Sequence, residues 1–229
     1  MSIRKQHIEQ ISKVANALGY LNKQVVYVGG AVVGLYATDP AAPDVRPTDD
    51  VDIILEITST GKLEALREDL NQKGFTQSAD DNVMCRFRYE GIKVDVMATQ
   101  EVGWAPANPW FAPGFHHLET RTVQNFELQV LSLPYFLASK LTAFRSRGND
   151  PRTSHDLEDV VYLLDNTHDL TEQLLLAPPD VKEFLHSEFR DMLKDVAIRE
   201  AIIANLEYSS QTERFAMIEE KLQGFINAE

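Results

Sequence analysis

Apolar positions fall into two regimes along this chain. Up to about residue 131, short apolar runs alternate with isolated helical stretches, while from Pro134 onward every periodic segment has helical spacing. Ile8, Ile11, Val14, Ala15 and Leu18 share one side of a predicted helix within residues 3–21, which Gly19 is placed to end. Residues 24–28 (Gln-Val-Val-Tyr-Val) predict a short strand, Gly29-Gly30 a tight turn, and residues 31–36 a helix. Pro40 and Pro43 make residues 38–46 a loop. A second strand is predicted over 50–57, an amphipathic helix over 62–73 stopped by Gly74, and a hairpin of 83–89 with 92–97 around Glu90-Gly91. Residues 103–117 hold Pro106, Pro109, Pro113, Trp104 and Trp110 and read as a long loop against the body. Residues 122–131 alternate as a last strand. Helices are then predicted over 135–147, 152–164, 181–193, 196–207 and 212–226, with Pro134 suited to a first helical turn and Pro178-Pro179 marking a break. The pattern predicts an α+β fold. Strands and helices together occupy residues 1–133, and an all-helical domain occupies 134–229.

Composition narrows the setting. Of 229 residues 44% are hydrophobic and 25% charged, which suffices for a packed core. The formal charge of −13 disfavours non-specific binding to polyanions over the whole surface but leaves room for a local basic groove. Cys85 is the one cysteine, so an intrachain disulfide and a cysteine-rich zinc site are excluded, and a buried structural thiol is expected. Residues 1–19 lack the apolar core of a signal peptide and no stretch reads as a membrane span. A cytoplasmic, reduced setting without a membrane partner is expected.

Three acids concentrate the chemistry. Asp50 and Asp52 lie two apart on a strand and therefore project to one face. Aspartate is a poor strand former and costly to bury alone. A solvated strand entrance would explain the pair without chemistry. Asp95, flanked by Val94 and Val96, could join the pair from a neighbouring strand. Three clustered anions repel one another unless a cation sits among them, and hard oxygen donors suit Mg²⁺ or Mn²⁺. Gly29 and Gly30, between strand and helix, could offer backbone N–H groups to phosphate oxygens, though a corner alone would use the same residues. Their spacing fits neither a Walker A loop nor a dinucleotide fingerprint. His116-His117, beside Trp110 and Phe115, reads as packing.

Val28-Gly29-Gly30, then the run from Arg46 through Pro47, Thr48, Asp49, Asp50 and Val51 to Asp52, then Val94-Asp95-Val96, resembles the nucleotidyltransferase superfamily that includes polymerase beta. The Arg-x-Thr-x-Asp-x-Asp string is similar to that of minimal bacterial members, the AbiEii-type toxins of type IV toxin–antitoxin systems among them. Residues 137–147, with Lys140, Arg145 and Arg147, followed by residues 155–159, with Asp156 and Asp159, look like that family's helical signature. The resemblance covers about residues 25–165. It implies a nucleotidyltransferase-like mixed β-sheet with flanking helices in the first domain, and transfer of an NMP from an NTP to an RNA, protein or small-molecule acceptor, tRNA ends included. Asp50, Asp52 and Asp95 would hold the metals, Gly29 and Gly30 the phosphates, and Lys140 a phosphate charge, with Asp156 orienting the lysine. A cognate antitoxin is an implied partner. The chain departs from the family at Ala31, where active members carry Ser or Thr after the glycines. That departure keeps a non-catalytic nucleotide- or partner-binding module as the alternative, and an antibiotic-modifying transferase shares the site chemistry.

Overall fold

A computed structural model describes residues 1–148 and 150–228. The chain divides into two compact units, one formed by Met1–Leu35 and Asp44–Ser132, the other by Tyr36–Pro43 and Leu133–Glu229.

The first unit is built on a six-stranded mixed sheet. Its elements are α1 (Ile3–Leu18), β1 (Val26–Val28), β2 (Asp50–Leu55), α2 (Thr60–Gln72), β3 (Arg86–Tyr89), β4 (Ile92–Ala98), the short α3 (Phe111–Gly114), β5 (Leu118–Val123) and β6 (Phe126–Leu131). Strand order is β3-β4-β2-β1-β6-β5. β2 runs parallel to β4 and antiparallel to β1, β1 runs parallel to β6, and the β3/β4 and β5/β6 pairs are antiparallel hairpins. Ser2 and Ser59 start α1 and α2 by accepting the N–H of Lys5 and Lys62. Gly19 and Gly74, both at positive φ, follow the two helices.

Alternation along β2 and β4 separates two faces. Val51, Ile53, Val94 and Val96 are fully buried, whereas Asp50, Asp52, Lys93 and Asp95 stand on the other side, half-buried. Each buried aliphatic contributes about 1.5–3 kcal/mol, so a one-residue slip that inverted these faces would be prohibitive.

The single strand predicted over 122–131 instead takes in the last two residues of β5, a turn begun by Gln124 at φ 52°, and the whole of β6, so it is a strand end and its hairpin partner. β5 (Leu-Glu-Thr-Arg-Thr-Val) lies at the sheet edge with only Val123 buried, so it carries no apolar alternation to read. The helix predicted after the glycine pair is a 3₁₀ segment, Gly30–Leu35.

The second unit contains α4 (Leu133–Arg147), α5 (His155–Asn166), α6 (Leu170–Leu175), α7 (Pro179–Lys194), α8 (Val196–Ala204) and α9 (Gln211–Ile226). Leu141, Leu157, Val160, Leu164, Leu185, Phe189, Ile202 and Leu222 are fully buried in it. α5 starts later than predicted because Ser154 caps it, accepting the N–H of Leu157. At its other end the Lys221 ammonium donates to the carbonyls of Leu164, Asp165 and Thr167, at 2.9, 3.1 and 3.0 Å. α6 has too few residues to show a period and was not predicted.

Residues 36–43, read as part of the first domain, pack with the helices. Tyr36 stacks on Phe136 at 4.6 Å, the N–H groups of Thr38 and Asp39 both donate to the Asn166 carbonyl at 3.0 Å, and the Tyr162 hydroxyl donates to the Pro43 carbonyl at 3.0 Å. No helix among the described residues is long and apolar enough to cross a membrane.

Candidate active site

Strand pairing brings the three acids together. Asp52 lies opposite Val28 on one side and opposite Asp95 on the other, so the end of β1, the start of β2 and the middle of β4 form one row. Residues directly opposite on paired strands share a face. One carboxylate oxygen from each of Asp50, Asp52 and Asp95 lies within 4.8 Å of the other two. Among the described residues this is the one such cluster of metal-ligating side chains. All-oxygen donors at this separation fit a divalent cation of the Mg²⁺ or Mn²⁺ type.

Arg86 stands at the same spot, and the motif reading did not include it. Its Nε and Nη2 donate to the two Asp95 oxygens, both at 2.7 Å, and Nη2 also reaches Asp50 Oδ2 at 3.4 Å. Hydrogen bonding to Asp95 pushes the guanidinium above its ordinary value. A signal was available in the sequence. A two-residue turn at Glu90-Gly91 pairs residues whose numbers sum to a constant, so the hairpin sets Arg86 opposite Asp95. On Asp50, the remaining oxygen accepts from the Thr48 hydroxyl, while the Thr48 N–H donates to the buried His7 ring at 3.2 Å. Thr48 of the Arg-x-Thr-x-Asp string thereby fixes the first acid. Cys85, next to Arg86, is buried, and burial with help from the Asp95 charge pushes its thiol up to about 11.

The glycine corner is fitted to the acids. Gly29 has φ 77°, and a Cβ there would fall 1.7 Å from Asp52 Oδ2. A Cβ on Gly30 would lie 2.5 Å from the Arg46 guanidinium. Absent side chains therefore let the backbone approach Asp52 and Arg46, which is a packing reason for both glycines. Ala31 is buried in the 3₁₀ segment that follows.

Lys140 and Asp156 meet inside the helical unit. The Lys140 ammonium lies 3.2 Å from Asp156 Oδ1 and 2.7 Å from Asp159 Oδ2. Asp156 Oδ2 also accepts from Arg147 at 2.6 Å. Lys140, Asp156 and Asp159 are 8%, 5% and 2% exposed, so none is the solvated helix-surface residue that an isolated charge would be. Arg145, another basic residue of the helical signature, pairs with Glu188 at 2.9 Å, and Arg152 pairs with Glu200 at 2.6 Å. A cavity of about 640 Å³ in the first unit, lined by Tyr20, Lys23, Val26, Leu55, Lys62 and Asp69, opens at the opposite end of β1 and β2 and includes none of Asp50, Asp52 and Asp95.

Residues 41–228 match the model of the family described as nucleotidyl transferase AbiEii toxin, type IV toxin–antitoxin system. The chain belongs to the AbiEii family. The AbiEii match includes Thr48, Asp50, Asp52, Asp95, Lys140 and Asp156, and begins after Gly29 and Gly30. It also takes in the helices beyond residue 165, which the sequence resemblance left unassigned. Among solved structures this AbiEii-family chain is similar to an antigenic nucleotidyltransferase-like protein from Paracoccidioides brasiliensis. The TM-score is 0.54 at 17% identity, over 91% of this chain and 97% of that one. A proposed nucleotidyltransferase from H. pylori aligns at 13% identity and TM-score 0.49, over 96% and 95% of the two chains. The first of these supports the nucleotidyltransferase-like fold. No curated protein matches the chain.

Proposed function

We propose that this AbiEii-family chain is a metal-dependent nucleotidyltransferase that moves an NMP from an NTP to an acceptor hydroxyl, with pyrophosphate as the leaving group. The observation that carries this reading is the convergence of the Asp50, Asp52 and Asp95 oxygens within 4.8 Å. Asp50, Asp52 and Asp95 would hold the metal. When bound, Mg²⁺ or Mn²⁺ supplies charge neutralisation of the triphosphate and activation of the attacking hydroxyl. The protein contributes mainly positioning. Thr48 holds Asp50 through its hydroxyl, and Gly29 leaves room for Asp52. Backbone N–H groups at Gly29 and Gly30 are the proposed phosphate contacts, and Asp95 the proposed proton acceptor. In the helical unit Lys140 is the proposed phosphate-neutralising cation, held by Asp156 and Asp159. A cognate antitoxin is proposed as partner on the family's description, and the setting is proposed to be cytoplasmic.

Calorimetry with Mn²⁺ and each NTP, on the native chain and on the Asp50→Ala/Asp52→Ala double variant, tests the reading. Metal-dependent nucleotide binding that the double variant loses is the expected result. Its absence from the native chain removes the enzyme and leaves a non-catalytic module. Labelled NTP incubated with total RNA then reads the acceptor. Transfer to RNA that falls steeply with added salt supports a tRNA-type acceptor, and a flat response supports a protein or small molecule.

A further inference from the structure

Arg86 stands at the carboxylate cluster, and neither the motif nor the proposed chemistry uses it. Three acids whose oxygens lie within 4.8 Å require a compensating positive charge. Arg86 provides one, through a bidentate fork on Asp95 at 2.7 and 2.7 Å and a looser reach to Asp50 at 3.4 Å. Its position is built by the fold. Arg86 is opposite Asp95 in the β3/β4 register, and its neighbour Phe87 is fully buried on the other face, which fixes the side to which Arg86 points. Only 18% of the Arg86 side chain is exposed, so the pair is not a loose surface contact.

We propose that Arg86 is an internal counter-cation of the acidic cluster, one that a divalent ion has to displace from Asp50 in order to load. The proposal rests on the metal-binding reading above. A metal held by oxygens at about 2.0–2.6 Å would sit within a few ångströms of the guanidinium, and two like charges at that range disfavour each other strongly. The Asp50 contact is the longer one and gives first, while the fork on Asp95 is retained. Arg86 is thus a positioning residue that sets metal affinity. The free chain keeps its cluster partly compensated and takes up bare metal weakly. The phosphates of an incoming nucleotide offset the added positive charge, so metal and nucleotide load together.

The test is calorimetric titration of Mn²⁺ alone into the native chain, Arg86→Gln, Arg86→Lys and Asp52→Asn, with melting temperatures recorded with and without Mn²⁺. Arg86→Gln is expected to bind Mn²⁺ about tenfold or more tightly than the native chain, because the competing charge is gone. Arg86→Lys should stay near native affinity. Without metal, Arg86→Gln should melt below the native chain and regain more on adding Mn²⁺. A purely structural role for Arg86 predicts the opposite, weaker metal binding in a loosened site. Unchanged or weaker Mn²⁺ affinity in a folded Arg86→Gln chain overturns the proposal. Should that variant not fold, the Arg86 Nε resonance of the native chain serves instead. It should shift on Mg²⁺ addition, and a signal unmoved while Mg²⁺ binds is equally fatal. Native binding lost in Asp52→Asn, with no gain in Arg86→Gln, leaves the metal site standing and removes only the counter-cation. No Mn²⁺ binding by any of the four chains removes both.

Discussion

Replacing Gly29 by alanine should damage stability and site together, and the two effects can be separated. The backbone at Gly29 is left-handed, with φ 77°, which costs an L-residue about 1–2 kcal/mol. Its new Cβ would fall 1.7 Å from Asp52 Oδ2, 2.6 Å from Cγ and 2.9 Å from Cβ. Relieving that overlap means moving the carboxylate or the strand that carries it, at a cost of about 1–3 kcal/mol. The expected loss is therefore about 2–5 kcal/mol. Gly91 provides the control, since it has φ 82° but a Cβ there meets nothing within 4 Å. Gly91→Ala should show only the backbone cost. Urea unfolding of both variants gives the difference attributable to the clash, and Mn²⁺ titration asks whether Asp52 still reaches the cluster. Gly29→Ala should lose metal binding and Gly91→Ala retain it. Equal destabilisation of the two variants, with metal binding intact in both, would refute the close-approach argument for Gly29.

Lys140→Met removes the ammonium that Asp156 and Asp159 share in the helical interior and should cost about 3–5 kcal/mol in urea unfolding; a loss under about 1 kcal/mol would show that the pairing is dispensable. Adding Asp156→Asn and Asp159→Asn to that variant should recover a large part of the loss, because the buried negative charges go with their partner. Cys85 should react slowly with a disulfide reagent. Burial favours its neutral thiol, raising it from 9.0 to about 11, so at about pH 8 the thiolate fraction is about 100-fold below that of the unfolded chain, and the rate should climb as pH rises. Rapid labelling of the folded protein at that pH would contradict the burial argument. Glu90→Asn should stabilise by about 0.5–1 kcal/mol, since Glu90 and Gly91 have φ 47° and 82° and such a turn prefers Asn-Gly; an unchanged melting temperature would show that Glu90 is unstrained.

Local rules carried the sequence reading a long way. The Asp-x-Asp spacing determined that Asp50 and Asp52 share a face, and alternation along residues 92–97 set Asp95 apart from its buried neighbours, because side-chain direction on a strand depends on the backbone alone. Gly19 and Gly74 marked the ends of α1 and α2 for the same local reason, while the Ser2 and Ser59 caps emerged only in the structure. Reading failed where burial was one-sided or absent. Edge strand β5 hides only Val123, and α6 spans six residues, so neither leaves a periodic trace. Residues 36–43 look like a first-domain loop because nothing local records that Tyr36 stacks on Phe136. The sequence could nominate Asp50, Asp52 and Asp95, but their convergence depended on β2 running parallel to β4 in a register that sets Asp52 beside Asp95. Pairing of strands far apart in sequence also brought Gly29 against Asp52, and the hairpin brought Arg86 onto Asp95. Contacts of that kind are chosen by how the whole sheet buries its apolar face, so the chain alone supplied the charges and the tertiary structure decided which of them meet.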